Sequence, residues 1–412
     1  MKYEEVFPVP REWLKDVDES LADTVVRWAE QEVMAGRLEH AEDLDGFLIP
    51  AMRKLFVDIG LQRLLIPEEM GGAGLSSPDT AVTLCAVLEQ VGRADMGIGF
   101  LLANTAAIQA ALGIEPHRSE SSVEVLSRLF GSGEDTVVGS LILPGTGDGA
   151  ATDLPEVNGL VCQVAAVPAE GGWILSGGNI RPQCAGASAG VFGTICQTEP
   201  GKPMLILVPA ASEGLERAAP FKKTGLAASD NADLAFREVR VPGELCVFAD
   251  MERYRETMGW YFMGCAALCS GALLASWEIL REWGETRVIK GKGQVFRENP
   301  LVASLMGEIA RRIAVSRILP YHLARMLSRP ETYGPAGSPA TYQTAVAVVR
   351  TVCNSAMEAI DYSMELMGSA GYAAEWNLER YWRDVKTIEA CLGPETAAQA
   401  DMARHCFGCQ TL

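Results

Sequence analysis

The hydrophobic period of this chain changes twice, and that double change constrains the fold more than any single motif. Over residues 14–129 apolar side chains recur at helical spacing. Leu21, Val25, Trp28 and Val33 fall at steps of three to five, and Met52, Leu55, Phe56 and Ile59 repeat the pattern. A Gly/Pro break at 67–74 precedes further helix over 81–91 and 101–112, and 116–122 reads as a loop. From 136 to 247 the texture is different. Short apolar runs at 137–143, 160–167, 173–176, 193–197, 204–208 and 234–241 are punctuated by Gly and Pro, which is strand length with strand punctuation. After Asp250 the helical spacing returns and lasts to the end, in long segments 251–286, 300–327, 339–367 and 382–406. The stretch 328–339 carries three prolines and reads as the loop between antiparallel helices. The expected fold class is α+β: an N-terminal helical domain (1–134), a middle β-barrel domain of six to eight strands (135–248) and a C-terminal four-helix bundle (249–412).

A chain of 412 residues is long enough for two or three cores. Its formal net charge of −18 argues against nucleic acid or an anionic membrane surface as a partner, since both would repel it. No run of about 18 uninterrupted apolar residues occurs, so no membrane span is expected. The most apolar segment, 263–276, suits a buried helix. Residues 1–11 mix Lys2 and Arg11 with Glu4, Glu5, Pro8 and Pro10, unlike an export signal, and the expected location is the cytoplasm. Eleven scattered cysteines then read as reduced thiols. The spacing His405-Cys406-Phe407-Gly408-Cys409 could be a redox pair or half a metal site, but no second ligand pair lies near it. It reads as tail cysteines on a helix end, and no metal site is expected.

Seven short motifs stand in a definite order. They are Gly60-Leu61 with Ile66-Pro67-Glu68-Glu69-Met70-Gly71-Gly72-Ala73-Gly74-Leu75-Ser76; Leu88-Glu89 through Arg93-Ala94-Asp95; Trp173-Ile174-Leu175-Ser176-Gly177; Lys223-Thr224-Gly225 with Ser229-Asp230, then Phe236 through Val241-Pro242; Met258-Gly259; Gly368-Ser369-Ala370-Gly371-Tyr372; and Arg383-Asp384-Val385-Lys386. None is specific alone. Gly71, Gly72 and Gly74 supply backbone freedom in a tight loop, and Arg383-Asp384 suggests a local ion pair. In this order over more than three hundred residues, the set resembles the acyl-CoA dehydrogenase family.

That resemblance implies an FAD-dependent removal of a proton from Cα of an acyl-CoA while hydride leaves Cβ for the flavin. Such chemistry needs a carboxylate base, a fixed flavin and donors that polarise the thioester carbonyl. Counted from Arg383-Asp384-Val385-Lys386, the family's base position holds Leu392, followed by Gly393-Pro394. The alternate base position on the first bundle helix and the residue after it hold Gly264 and Cys265. Glu252, Glu389 and Glu395 are the candidates for a relocated base. The resemblance places flavin contacts at Ile142, Asp148, Arg181, Gln183, Arg287, Glu365, Gly368 and Pro394, and most are substituted. Ile142 and Asp148 replace the hydroxyl residues of the turn Ile142-Leu143-Pro144-Gly145-Thr146-Gly147-Asp148-Gly149. Arg181 and Gln183 stand where a Trp and a Thr flank the flavin ring. Pro394 replaces a Thr, and Glu365 a Gln.

Three expectations follow. The first is a degenerate subunit of acyl-CoA oxidation, working with a catalytically competent homologue or associating with itself through the C-terminal bundle. The second is an active dehydrogenase with a relocated Glu, binding FAD and passing electrons to an electron-transfer flavoprotein. The third is a repurposed acyl-CoA-binding protein, lyase or hydratase without flavin chemistry, in which Arg181 binds an anionic substrate group.

Overall fold

The computed structural model describes residues 2–40, 43–68, 71–74, 80–113, 119–131, 133–145, 156–157, 160–197 and 202–409. Positions 69–70, 75–76, 116–118 and 146–149 of the sequence reading lie outside them. The N-terminal region is built on helices α1 (Asp16–Trp28), α2 (Thr80–Ala94), α3 (Met96–Gly113) and α4 (Glu120–Phe130). Every residue of α2 and α3 is buried. Asp95 divides them, since its carboxylate accepts from the Ile98 amide (3.0 Å) and so starts a new helix as an N-cap.

Besides a two-residue pairing of Glu156–Val157 with Leu160–Val161, eight longer strands follow among the described residues: β1 (Gly139–Ile142), β2 (Ala165–Ala169), β3 (Gly172–Ile180), β4 (Val191–Gln197), β5 (Pro203–Pro209), β6 (Leu215–Arg217), β7 (Leu234–Pro242) and β8 (Cys246–Ala249). These eight form two four-stranded sheets, in the orders β1-β4-β5-β8 and β2-β3-β7-β6. Among the described residues only the β1–β4 pairing is parallel. β4 is buried along its whole length, so its continuous apolar run is a core strand covered on both faces.

The C-terminal region holds α5 (Met251–Thr286), α6 (Pro300–Ser328), α7 (Pro339–Met367), α8 (Leu378–Cys391) and α9 (Glu395–Phe407). Asp250, Asn299 and Ser338 cap the first three through their side chains, and Pro300 and Pro339 occupy the first turn. The sequence reading takes 382–406 as one helix. The structure breaks it at Leu392–Pro394, because Gly393 is left-handed (φ 76°) and Pro394 offers no amide to continue the ladder. α3 and α5 are long and apolar enough to cross a membrane, but their most apolar windows are 100% and 83% buried, as core helices are.

Two of the buried contacts that join these regions hold their elements in register. α2 and α5 cross backbone to backbone: a Cβ on Gly271 would lie 2.1 Å from the Glu89 carbonyl, and one on Gly92 would lie 2.6 Å from that of Leu268. The fully buried Glu89 accepts from Ser270 (2.8 Å), from Arg317 Nε (3.0 Å) and Nη2 (2.9 Å), and from the Tyr321 hydroxyl (3.1 Å). Arg317 also donates to the Phe7 carbonyl. The second contact centres on Arg380, which faces Asp95 and Asp384 at 3.5 Å each. Asp384 accepts from the Leu226 amide (2.6 Å) in the β-region. The expected Arg383–Asp384 ion pair is replaced: Arg383 pairs with Glu379 (2.6 Å) and Asp384 with Arg380, because successive helix residues point apart while i,i+4 residues meet.

Glu89→Leu strips the acceptor from a buried guanidinium and should cost about 3–5 kcal/mol. The expected readout is a lower urea midpoint. Adding Arg317→Leu should recover part of the loss, since no unpaired charge then remains.

Candidate functional site

A small pocket of about 80 Å³ lies where α5, α7, the α8–α9 turn and the segment after β1 converge. Helical spacing builds its walls. Tyr254, Met258, Tyr261 and Phe262 share one face of α5, and Tyr342, Val346, Val349 and Arg350 share one face of α7. Their rings form a continuous contact: Tyr254 to Tyr342 (6.4 Å), Tyr342 to Phe262 (6.2 Å) and Phe262 to Tyr261 (5.7 Å). Leu143 and Pro144 close one side, and Cys391, Leu392, Gly393, Pro394, Ala397, Ala398 and Asp401 close the other.

Two charged residues line this space. Arg350 is half-buried, and its Nη2 donates to the carbonyls of Leu392 (2.6 Å) and Gly393 (2.9 Å), closing the C-terminus of α8. Burial lowers its pKa from the ordinary guanidinium value. Asp401, on the pocket-facing side of α9, accepts from Gln343 Nε2 (2.7 Å). Burial pushes the Cys391 thiol up to about 11 and raises the Tyr254 and Tyr261 phenols well above their usual range, so all three stay protonated at neutral pH.

Of the residues singled out in sequence, the pocket gathers Leu392 and Pro394. Gln183 reaches its wall, where its amide oxygen accepts from the Tyr261 hydroxyl (3.0 Å). Ile142 is fully buried in β1, just before Leu143 and Pro144. Gly264 and Cys265 are buried further along α5. None of the three glutamates lines the pocket. Glu252 is exposed on the first turn of α5 beside Gly337, Glu389 is ion-paired to Lys386 (2.8 Å), and Glu395 is exposed and accepts from Gln399 (3.3 Å).

Arg181 also points elsewhere: it is exposed, held by Asp233 at 2.8 and 2.9 Å, and lies over the Phe221 ring at 4.4 Å. Arg287, Glu365 and Gly368 sit at the opposite end of the bundle. Arg287 lies about 38 Å along α5 from Phe262, and Glu365 about 22 Å along α7 from Arg350. Arg287 stacks on Trp283, which meets Trp376 edge-on, and Gly368 (φ 63°) ends α7. Asp148 lies outside the described residues.

The sequence reading missed Arg350 and Asp401. The signal for Asp401 is spacing: 394, 397, 398 and 401 form one helical face once a helix is started at Pro394. Arg350 has the same kind of signal, four residues after Val346. Among the described residues no group of three or more His, Cys, Asp or Glu is placed to hold a metal.

Family models match two stretches: "Acyl-CoA dehydrogenase, N-terminal domain" over 15–117 and "Acyl-CoA dehydrogenase, C-terminal domain" over 254–407. The chain is 24% identical over 406 residues to the mitochondrial short-chain specific acyl-CoA dehydrogenase of Mus musculus, covering 95% of this chain and 90% of that one. It superposes on butyryl-CoA dehydrogenase from Megasphaera elsdenii with a TM-score of 0.76 at 18% identity, covering 95% of this chain and 98% of that one. It superposes on a glutaryl-CoA dehydrogenase from Mycobacterium smegmatis in complex with FADH2 with a TM-score of 0.77 at 17% identity, covering 98% and 97%. At these identities the superpositions speak to fold.

All eleven cysteines are free thiols, and only Cys406 and Cys409 are exposed. Iodoacetamide should therefore label these two rapidly in the native protein. The other nine, Cys391 among them, should react at comparable rates only after denaturation, as read by peptide mass spectrometry.

Proposed function

This chain belongs to the acyl-CoA dehydrogenase family, and from that premise we propose that it is a degenerate subunit of an acyl-CoA-oxidising assembly. It binds an acyl-CoA without abstracting the α-proton, and a catalytically competent homologue carries the oxidation. The observation that carries this reading is Leu392. It stands on the pocket wall at the family's base position, where it offers no proton acceptor, and a guanidinium rather than a carboxylate adjoins it. Removing an acid–base group typically costs about 10²–10⁴-fold in rate.

Membership in the family implies FAD. In our reading this chain's residues do not fit the flavin ring. Ile142 has no hydroxyl to offer, Pro394 has neither hydroxyl nor amide hydrogen, and the Gln183 amide oxygen is taken by Tyr261. Arg181 is spent on Asp233, and Glu365 sets an exposed negative charge at a family phosphate-contact position. The pocket, at about 80 Å³, lies below the roughly 300–1,000 Å³ usual for cofactor sites. No step of the proposed role passes through a flavin held by this chain.

The chain is read as three domains, 1–134, 135–248 and 249–412, working in the cytoplasm. The bundle surface meets the homologue, or a second copy of this chain. Exposed Leu301 (79%), Leu305 and Val315 on α6 support an apolar contact there. Electrons leave through the competent subunit to an electron-transfer flavoprotein.

A second reading, an active enzyme with a relocated base, is favoured by one observation. Among the described residues Asp401 is the carboxylate that lines the pocket.

The visible spectrum of the purified chain separates the two. The degenerate-subunit reading expects no flavin absorbance bleached by an acyl-CoA unless the homologue is coexpressed. Bleaching by the isolated chain overturns it. Loss of that bleaching by about 10²-fold or more in Asp401→Asn, but not in Glu252→Gln, Glu389→Gln or Glu395→Gln, would establish the second.

A further inference from the structure

The electrostatics at the base position are reversed. A carboxylate base makes that part of a pocket electronegative. Here the position is an apolar Leu392, and the adjoining charge is the guanidinium of Arg350.

Among the described residues Arg350 keeps nitrogens that no protein group occupies and that its half-exposed position leaves open to solvent or ligand. Its Nη2 serves the Leu392 and Gly393 carbonyls, while Nη1 and Nε make no hydrogen bond among the described residues. Among the described residues no carboxylate forms an ion pair with it, although Glu395 and Glu389 lie near enough to act on its charge. Glu389 is turned to Lys386, Glu395 to Gln399, and Asp401 to Gln343. Two carbonyl dipoles compensate a half-buried cation only in part, and a small carboxylate would complete it through charge-assisted hydrogen bonds.

The rest of the pocket suits that ligand. Tyr254, Tyr261 and Tyr342 contribute rings whose hydroxyls are held within the protein, and Met258, Phe262 and Val346 add apolar wall for a methylene or two. A volume of about 80 Å³ holds a group of a few heavy atoms and no long acyl chain.

We propose that this pocket selects a short acyl thioester bearing a free carboxylate, with Arg350 as the partner of that carboxylate. The assignment rests on the reading that the chain binds acyl-CoA and names the class it takes.

The test is isothermal titration of the full-length protein with succinyl-CoA, malonyl-CoA and butyryl-CoA. At least one carboxylated ligand should bind about tenfold or more tightly than butyryl-CoA. Arg350→Met should bring that ratio close to one. Since Arg350 also closes α8, Leu392→Glu provides a variant that keeps the guanidinium and its carbonyl contacts. The introduced carboxylate would act as an internal counter-ion and erase the same preference, with circular dichroism checking the fold of both variants. Equal affinity for carboxylated and plain thioesters, or a preference that survives Arg350→Met, overturns the assignment while leaving acyl-CoA binding intact. Failure of all three thioesters to bind overturns the underlying reading, and this assignment with it.

Discussion

The backbone-to-backbone crossing of α2 and α5 is the constraint on which the rest of the molecule depends. Gly92 and Gly271 let two carbonyl-bearing ridges approach more closely than any side chain permits. That approach forces Glu89 into a fully buried position, where it is affordable only because Arg317, Tyr321 and Ser270 supply its hydrogen bonds. The guanidinium comes from α6 and its remaining nitrogen reaches Phe7, so one charge pair gathers the chain's start, α2, α5 and α6. A continuous helix of 36 residues pinned at its middle carries that orientation to both ends. The face bearing Tyr254, Met258 and Tyr261 is aimed at the pocket as a consequence.

Scaffold and pocket answer to different requirements, and this explains how a family remains visible at about one identical residue in four. The motifs that persist do backbone work. Gly225 packs where a Cβ would sit 2.3 Å from the Arg383 carbonyl, and Asp384 accepts from the neighbouring Leu226 amide. Two motifs 160 residues apart in the chain are therefore one docking contact between the β-region and α8. Substituting either costs folding energy whatever the protein does. Two of the positions that the resemblance assigns to flavin contacts make no such contact between regions. Ile142 packs in β1, and Arg181 finds Asp233 and Phe221 on the surface.

The order of helices, strands and helices was legible because period and punctuation are local properties. The bounds of α5 and α7 could be read to the residue, since Asp250, Ser338 and Pro339 are cap signals with a mechanism. The break at Leu392–Pro394 was hidden because helical spacing resumes in phase on its far side, and only Gly393-Pro394 marks the interruption. That concealed helix start also hid Asp401. The short strands β6 and β8 carry three and four residues, too few for a period to show. Glu252 could not be judged from its neighbours: two residues before Tyr254 on a helix is another face.

Leu392 and Arg350 line one pocket and are best read together. A carboxylate at 392 would stand beside a half-buried guanidinium, and such a neighbour holds a carboxyl in its ionised form and depresses its pKa. A base acts best with a pKa near the working pH, so a glutamate restored beside Arg350 would be ionised but poorly basic. Under the proposed assignment, Arg350 without a carboxylate at 392 keeps nitrogens for a ligand's own negative charge. On the proposed reading, an apolar residue at 392 and a cation at 350 thus favour the same outcome, a pocket that holds a charge the substrate brings rather than one that takes a proton from it.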